Sequence, residues 1–205
     1  MTAETPARRR GRPKTIDRDA VIDVAMLSYW SHGVSGVSLN EVCRRAGVSK
    51  PAVYREFGNE DELISAALDR YYAEAMTPVK RMFASDLPFE KLLDEFVTYI
   101  SRDKGDDGNA AGCLFAKMCN DQRKLGPESA QGLQRIRRQM RSMYAERLER
   151  AKTDRELTTA IPIPEMADYM DAQMLNMYMQ KARGEEPQSI REFGKIAFSV
   201  LCDRS

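Results

Sequence analysis

Residues 38–64 read SLNEVCRRAGVSKPAVYREFGNEDELI, and two short helices can be placed in them from their ends inward. Ser38, followed three residues on by Glu41, is a capping-box pair in which the serine oxygen takes an N–H that the first turn leaves unpaired. Gly47 closes that helix, because a residue without Cβ enters the left-handed turn at no steric cost. Ser49 caps the next helix, and Pro51 is tolerated in its first turn, where the N–H it lacks has no partner anyway. The run ends at Phe57 and Gly58. Asn59, with Glu60, Asp61 and Glu62, then sets a cap and three carboxylates at the positive end of a further helix.

Working outward, Val21, Val24, Ala25, Leu27 and Tyr29 give a preceding helix that begins after Asp17 and stops at Gly33. Val37, Leu39, Val42, Ala46, Val48, Val53 and Phe57 supply a small core for the group. A short helix, a glycine turn and a second short helix that is polar on one side make a helix-turn-helix, narrow enough to enter a major groove. Here the chain resembles the TetR family of bacterial regulators. Residues 38–64 carry the likeness, with Ala25, Tyr29 and Gly33 matching the small, aromatic and glycine positions of the family's first helix.

The resemblance implies double-stranded DNA, a palindromic operator, as partner. Lys50, Pro51 and Ala52 stand at the exposed start of the recognition helix, where a lysine can donate to guanine and apolar groups can meet a thymine methyl. Tyr54 resembles the family's phosphate-contacting tyrosine, Ser49 opens the helix, and Ser38, Asn40 and Arg44 lie where the preceding helix crosses the backbone. An ordinary solvated helix face is the bland alternative for these polar groups. The family's phosphate-gripping lysine at the next helix is replaced by Gly58-Asn59-Glu60, which leaves only backbone N–H groups for that contact.

Charge is distributed unevenly. The formal net charge is +1, yet residues 1–57 hold ten Lys or Arg against six Asp or Glu, and five of those bases fall in the first fourteen residues. Residues 1–16 lack apolar periodicity and read as a flexible basic arm. Within it, Arg8-Arg9-Arg10-Gly11-Arg12-Pro13-Lys14 resembles an AT-hook, an extended strand suited to a narrow, negative minor groove. A merely solvating tail is the alternative.

The remaining two thirds has helical periodicity throughout, with no convincing strand. Helices are expected over 59–76, with a continuation past Pro78 to 84, and over 88–103, 110–124, 127–153, 165–183 and 188–203. The expected fold is all-α with about nine helices: a homeodomain-like three-helix DNA-binding domain at 17–64 and a helical domain for effector binding and dimerisation at 65–205. Eight of the twelve methionines fall between Met118 and Met179, and methionine repacks readily around apolar ligands. By resemblance, Phe96, Tyr99, Cys113, Leu114, Phe115, Met118, Met140, Met143, Tyr144 and Met174 surround a pocket for an unidentified small-molecule effector. Plain core packing is the competing reading. Met170, Met177 and Tyr178, with Phe193, Ile196, Ala197 and Val200, are expected to pair two copies as a four-helix bundle, setting two recognition helices roughly one DNA turn apart.

Several functions are disfavoured. No apolar run approaches the roughly 18 to 20 residues of a membrane span, and no secretion leader is evident, so a cytoplasmic protein is expected. The four cysteines are scattered without metal-ligand spacing. His32, the only histidine, sits at a helix C-terminus that suits it without any catalytic role. There is no phosphate-cradling glycine loop and no nucleophile elbow, so neither enzyme nor cofactor is expected. Two alternatives stay open: an architectural protein of A·T-rich DNA, and a redox or electrophile sensor working through Cys113, should a helix N-terminus lower its pKa.

Overall fold

Asp17 accepts the N–H of Ala20 and opens α1, Arg18–His32. In this computed structural model, which describes residues 16–102 and 112–202, a 3-10 turn at Val34–Gly36 then leads to α2, Leu39–Ala46, and α3, Lys50–Phe57. Both serine caps form: Ser38 Oγ accepts from Glu41 N and Ser49 Oγ from Ala52 N, each at 3.3 Å. Gly47 takes the left-handed turn between them, with φ 65°. Val21, Ala25, Val42, Val53 and Phe57 close the core of this head. Leu27 faces outward instead, 48% exposed.

α4, Glu60–Ala75, runs unbroken through residue 64, so the expected domain boundary falls inside one helix. It stops at Met76, and α5, Thr77–Phe83, is a separate element. Pro78 explains the break, since it has no N–H to offer residue 74 and its ring crowds that carbonyl. α6 (Phe89–Ser101), α7 (Leu114–Asn120), α8 (Pro127–Thr153), α9 (Ile163–Ala182) and α10 (Pro187–Ser199) follow. The described residues thus hold ten α-helices and no strand, one helix more than expected because of Met76. α7 is shorter than anticipated, and α9 starts at Ile163, with Pro164 inside its first turn rather than ahead of it.

In the body, α8 lies between α4 and α9, and α10 packs on α6 and α9. Rings join these layers: Phe83 meets Phe96 edge-on and Tyr144 obliquely, each at 5.1 Å, and Phe96 stacks on Phe198 at 6.1 Å. One expectation changes here. Phe96, Cys113, Leu114, Phe115, Met118, Met140, Tyr144 and Met174 lie inside the body, at most 2% exposed. Met170 and Met177 are wholly buried within the chain and cannot form an outer face. With Met166 and Met174 they make one stripe of α9 that its own neighbours cover.

Candidate nucleic-acid interface

The face of α3 that leaves the core carries Pro51, Tyr54, Arg55 and Glu56, with Lys50 and Ala52 half-buried beside them. Tyr54 is 40% exposed, and the Lys50 ammonium lies 5.5 Å from the centre of its ring. That contact steers the lysine along the outer face without burying it. Ser38, Asn40, Arg44 and Ser49 are exposed on the same head. Arg55 escaped the sequence reading, although its place one turn after Pro51 on a helix is a signal that helical spacing alone supplies.

Arg44 is not idle. It donates from Nε and Nη2 to the two oxygens of Glu41, at 2.8 and 2.7 Å, and Arg45 donates to the same carboxylate at 2.7 Å. These bonds, from Arg44 first and Arg45 second, pull the Glu41 carboxyl down to about 2. A phosphate approaching Arg44 therefore has to share it with Glu41.

The start of α4 is also occupied. Asn59 Oδ1 accepts from Glu62 N at 2.9 Å, and Glu60, Asp61 and Glu62 ring the first turn. The N–H groups left for phosphate by the missing lysine are thus faced by carboxylates, which disfavours an anion there. Asp61 turns away and caps another helix: it accepts from Glu128 N at 2.7 Å, from Ser129 N at 3.3 Å and from Ser129 Oγ, at the start of α8. A Cβ on Gly126 would come within 2.4 Å of the Asp61 carboxyl carbon, so the close approach requires glycine. The head is held to the body at other points too. Trp30 Nε1 donates to Gly112 O at 3.0 Å, Lys117 Nζ to Trp30 O at 2.5 Å, and Arg70 on α4 bridges Asp19 and Asp23 of α1.

Met143 lines a cleft of about 660 Å³ between the α4–α5 elbow and α8, and Tyr99 lines one of about 320 Å³ between α5 and α6. Cys113 is 2% exposed at the N-terminal end of α7, beneath Tyr71, whose hydroxyl burial pushes well above its usual range. Burial also pushes the Cys119 thiol up to about 12. On α10, Ile196 and Val200 are 73% and 54% exposed, with Phe193 half-buried on the same side and Ala197 beneath them at 7%. Tyr178 is partly covered by the body. The segment Arg8–Lys14 lies outside the described residues.

The sequence profile described as bacterial regulatory proteins, tetR family, matches residues 21–67, the span from the first buried turn of α1 into α4. Residues 21–67 are thus a TetR-type DNA-binding domain. Likeness to a known repressor extends beyond the head: the chain is 27% identical to the HTH-type transcriptional repressor ComR of Escherichia coli K12, over 94% of this chain and 90% of that protein. Two solved structures share the fold over most of the chain. The reduced form of E. coli NemR superposes with a TM-score of 0.77 at 16% identity, covering 90% of this chain and 96% of that one. A cysteine mutant of the TetR family regulator CifR, complexed with 26-bp double-strand operator DNA, gives 0.78 at 20% identity, covering 93% and 100%. Among the described residues no helix is long and apolar enough to cross a membrane, and no group of three or more His, Cys, Asp or Glu is placed to hold a metal ion.

Proposed function

We propose that this protein is a cytoplasmic homodimeric transcriptional repressor that binds a palindromic operator and leaves it when a small molecule occupies its body. The observation that carries the reading is α3. It is a two-turn helix capped by Ser49, anchored by Val53 and Phe57, with Pro51, Tyr54 and Arg55 turned outward. Lys50, Pro51 and Ala52 read base edges, Tyr54 and Ser49 hold phosphate, and Ser38, Asn40 and Arg44 contact the backbone from α2. Arg55 adds a further cation on that face. The basic arm of residues 1–16 follows the adjoining minor groove. Residues 17–64 form the DNA-binding head and 65–205 the effector and dimer body, with α4 as their shared strut.

Dimerisation uses the outer side of α10, where Phe193, Ile196 and Val200 stand in line, together with the solvent side of α9. Two exposed branched aliphatics one turn apart on a helix are what a partner would cover. Operator-bound CifR is a fold relative of this chain, and that supports DNA as the partner of α3. Binding without turnover is the activity proposed.

The test selects bound fragments from random DNA with the purified protein. A palindrome with half-sites roughly one turn apart is expected. Enrichment of A·T-rich sequence without symmetry would replace the reading with an architectural role. Thiol sensing has less support, because Cys113 is 2% exposed.

A further inference from the structure

Beside the recognition helix, one carboxylate on α2 holds two arginines. Arg44 Nε and Nη2 donate to Glu41 Oε2 and Oε1 at 2.8 and 2.7 Å, which spends one edge of the guanidinium, although the side chain stays 74% exposed. Arg45 Nε donates to the same Oε1 at 2.7 Å, and its Nη1 donates at 3.1 Å to Ser28 Oγ on α1. Ser28 is 2% exposed, so the carboxylate that grips Arg44 is itself tied, through Arg45, to the inside of the head.

Support for α2 is not the main consequence of this cluster. Ser38 already caps the helix through Glu41 N, and Leu39, Val42 and Cys43 bury its inner side; an exposed ion pair adds only modestly to that. Its effect on charge is larger. Two guanidinium groups and one carboxylate leave a single positive charge where the arginines alone would present two, and Arg44 offers a phosphate only the edge that Glu41 does not occupy.

We propose that Glu41 determines specificity by restraining Arg44: it leaves one guanidinium edge for the phosphate in register at the operator and withholds the rest of that charge from DNA at large. The assignment rests on the DNA-binding reading of α2 and α3 above and adds a discriminating group to it. At an operator, base contacts from α3 fix the approach, and an arginine already held in one geometry has little side-chain freedom left to lose. On unrelated sequence no register is fixed, and affinity follows the number of cations that can find phosphates. A released Arg44 therefore favours random DNA over the operator. Simple repulsion between the Glu41 carboxylate and phosphate makes a different prediction, because it would act whether or not residue 44 is an arginine.

Fluorescence anisotropy of the full-length protein tests this on the selected operator and on a random-sequence duplex, across about 0.05–0.3 M salt. The proteins compared are wild type, Glu41→Gln, Arg44→Gln and the double variant, with circular dichroism verifying that each is folded. Glu41→Gln should bind the random duplex about five- to tenfold more tightly at the low-salt end, with the slope of log K against log salt steeper by about one. Its operator affinity should change by less than about twofold, so the preference for operator falls. The double variant should match Arg44→Gln on both DNAs, because the gain belongs to Arg44. Glu41→Ala removes the same carboxylate in a residue that favours helix and repeats the measurement should the glutamine variant misfold. Unchanged or weaker binding of random DNA, an equal gain on both DNAs, or a gain that persists without Arg44 overturns the proposal. Failure to select any operator removes the repressor reading, while the random-duplex slopes still decide whether Glu41 restrains Arg44.

Discussion

Replacing Asp61 by alanine should loosen the joint between head and body. Asp61 takes two backbone N–H groups and a hydroxyl at the start of α8, and Ser129, which provides two of those donors, is 0% exposed. Losing a helix cap costs about 1 kcal/mol, and stranding a buried donor costs about 1–3 kcal/mol more. Asp61 itself is only half-buried, so water can reach Glu128 N, and Ser129 Oγ keeps Gly126 O at 3.4 Å. The lower part of the range applies, giving about 2 kcal/mol. For a chain of this size that corresponds to a fall in Tm of about 4–8 °C.

Gly126→Ala attacks the same contact from the other side, because its Cβ would lie 2.4 Å from the Asp61 carboxyl carbon. The double variant should therefore lose about as much as the worse single one, since a contact can be removed only once. Thermal melts of the four proteins, at equal concentration because any self-association shifts Tm, provide the cycle. A fall below about 1 °C for Asp61→Ala, or full additivity of the two changes, would refute the joint as described.

Four further outcomes are expected. Lys50→Ala should cost about 1–3 kcal/mol on the selected operator and relax preference at one base pair, whereas Tyr54→Phe should weaken all sequences alike; footprint competition against single-base variants distinguishes them. Deleting residues 1–14 should lower affinity and flatten the slope of log K against log salt, and an unchanged slope would exclude the arm from the complex. Glu41 has its pKa depressed to about 2 by Arg44 and Arg45, so its stabilising contribution is present above the unfolded carboxyl value near 4.3 and is lost as pH falls toward about 2. Melts of Glu41→Gln should accordingly lie below wild type at neutral pH and converge with it in acid. Ile196→Asp should split the proposed dimer in sedimentation without lowering monomer helix content, because Ile196 is 73% exposed and contributes little to its own core.

The local features of the head were legible because each is written in neighbouring residues. Ser38, Ser49 and Asn59 cap the helices they precede, and Gly47 turns where a side chain would be strained. A hydroxyl or amide one turn from an unpaired N–H needs no information from elsewhere in the chain. Arg44 shows where that legibility stops: its position on α2 was readable, but its double bond to Glu41 limits what it can offer a phosphate. The three carboxylates opening α4 were rightly placed at a helix dipole, yet Asp61 serves the dipole of a second helix more than sixty positions away.

The amino-acid order alone determined the all-helical class, most of the breaks between helices and the outward face of α3, because caps, turns and 3.6-residue periodicity act over a few residues. Tertiary structure decided which apolar surface faces which neighbour. α9 carries methionines and tyrosines around much of its circumference, so periodicity could not choose the stripe of Met166, Met170, Met174 and Met177 that its own chain buries over the sides left for a partner. The same holds for the effector site. Phe96, Tyr144 and Met174 are enclosed in the body, and periodicity does not say by which neighbours, while Lys80 and Arg147, far apart in sequence, line one cleft only because α5 folds back beside α8.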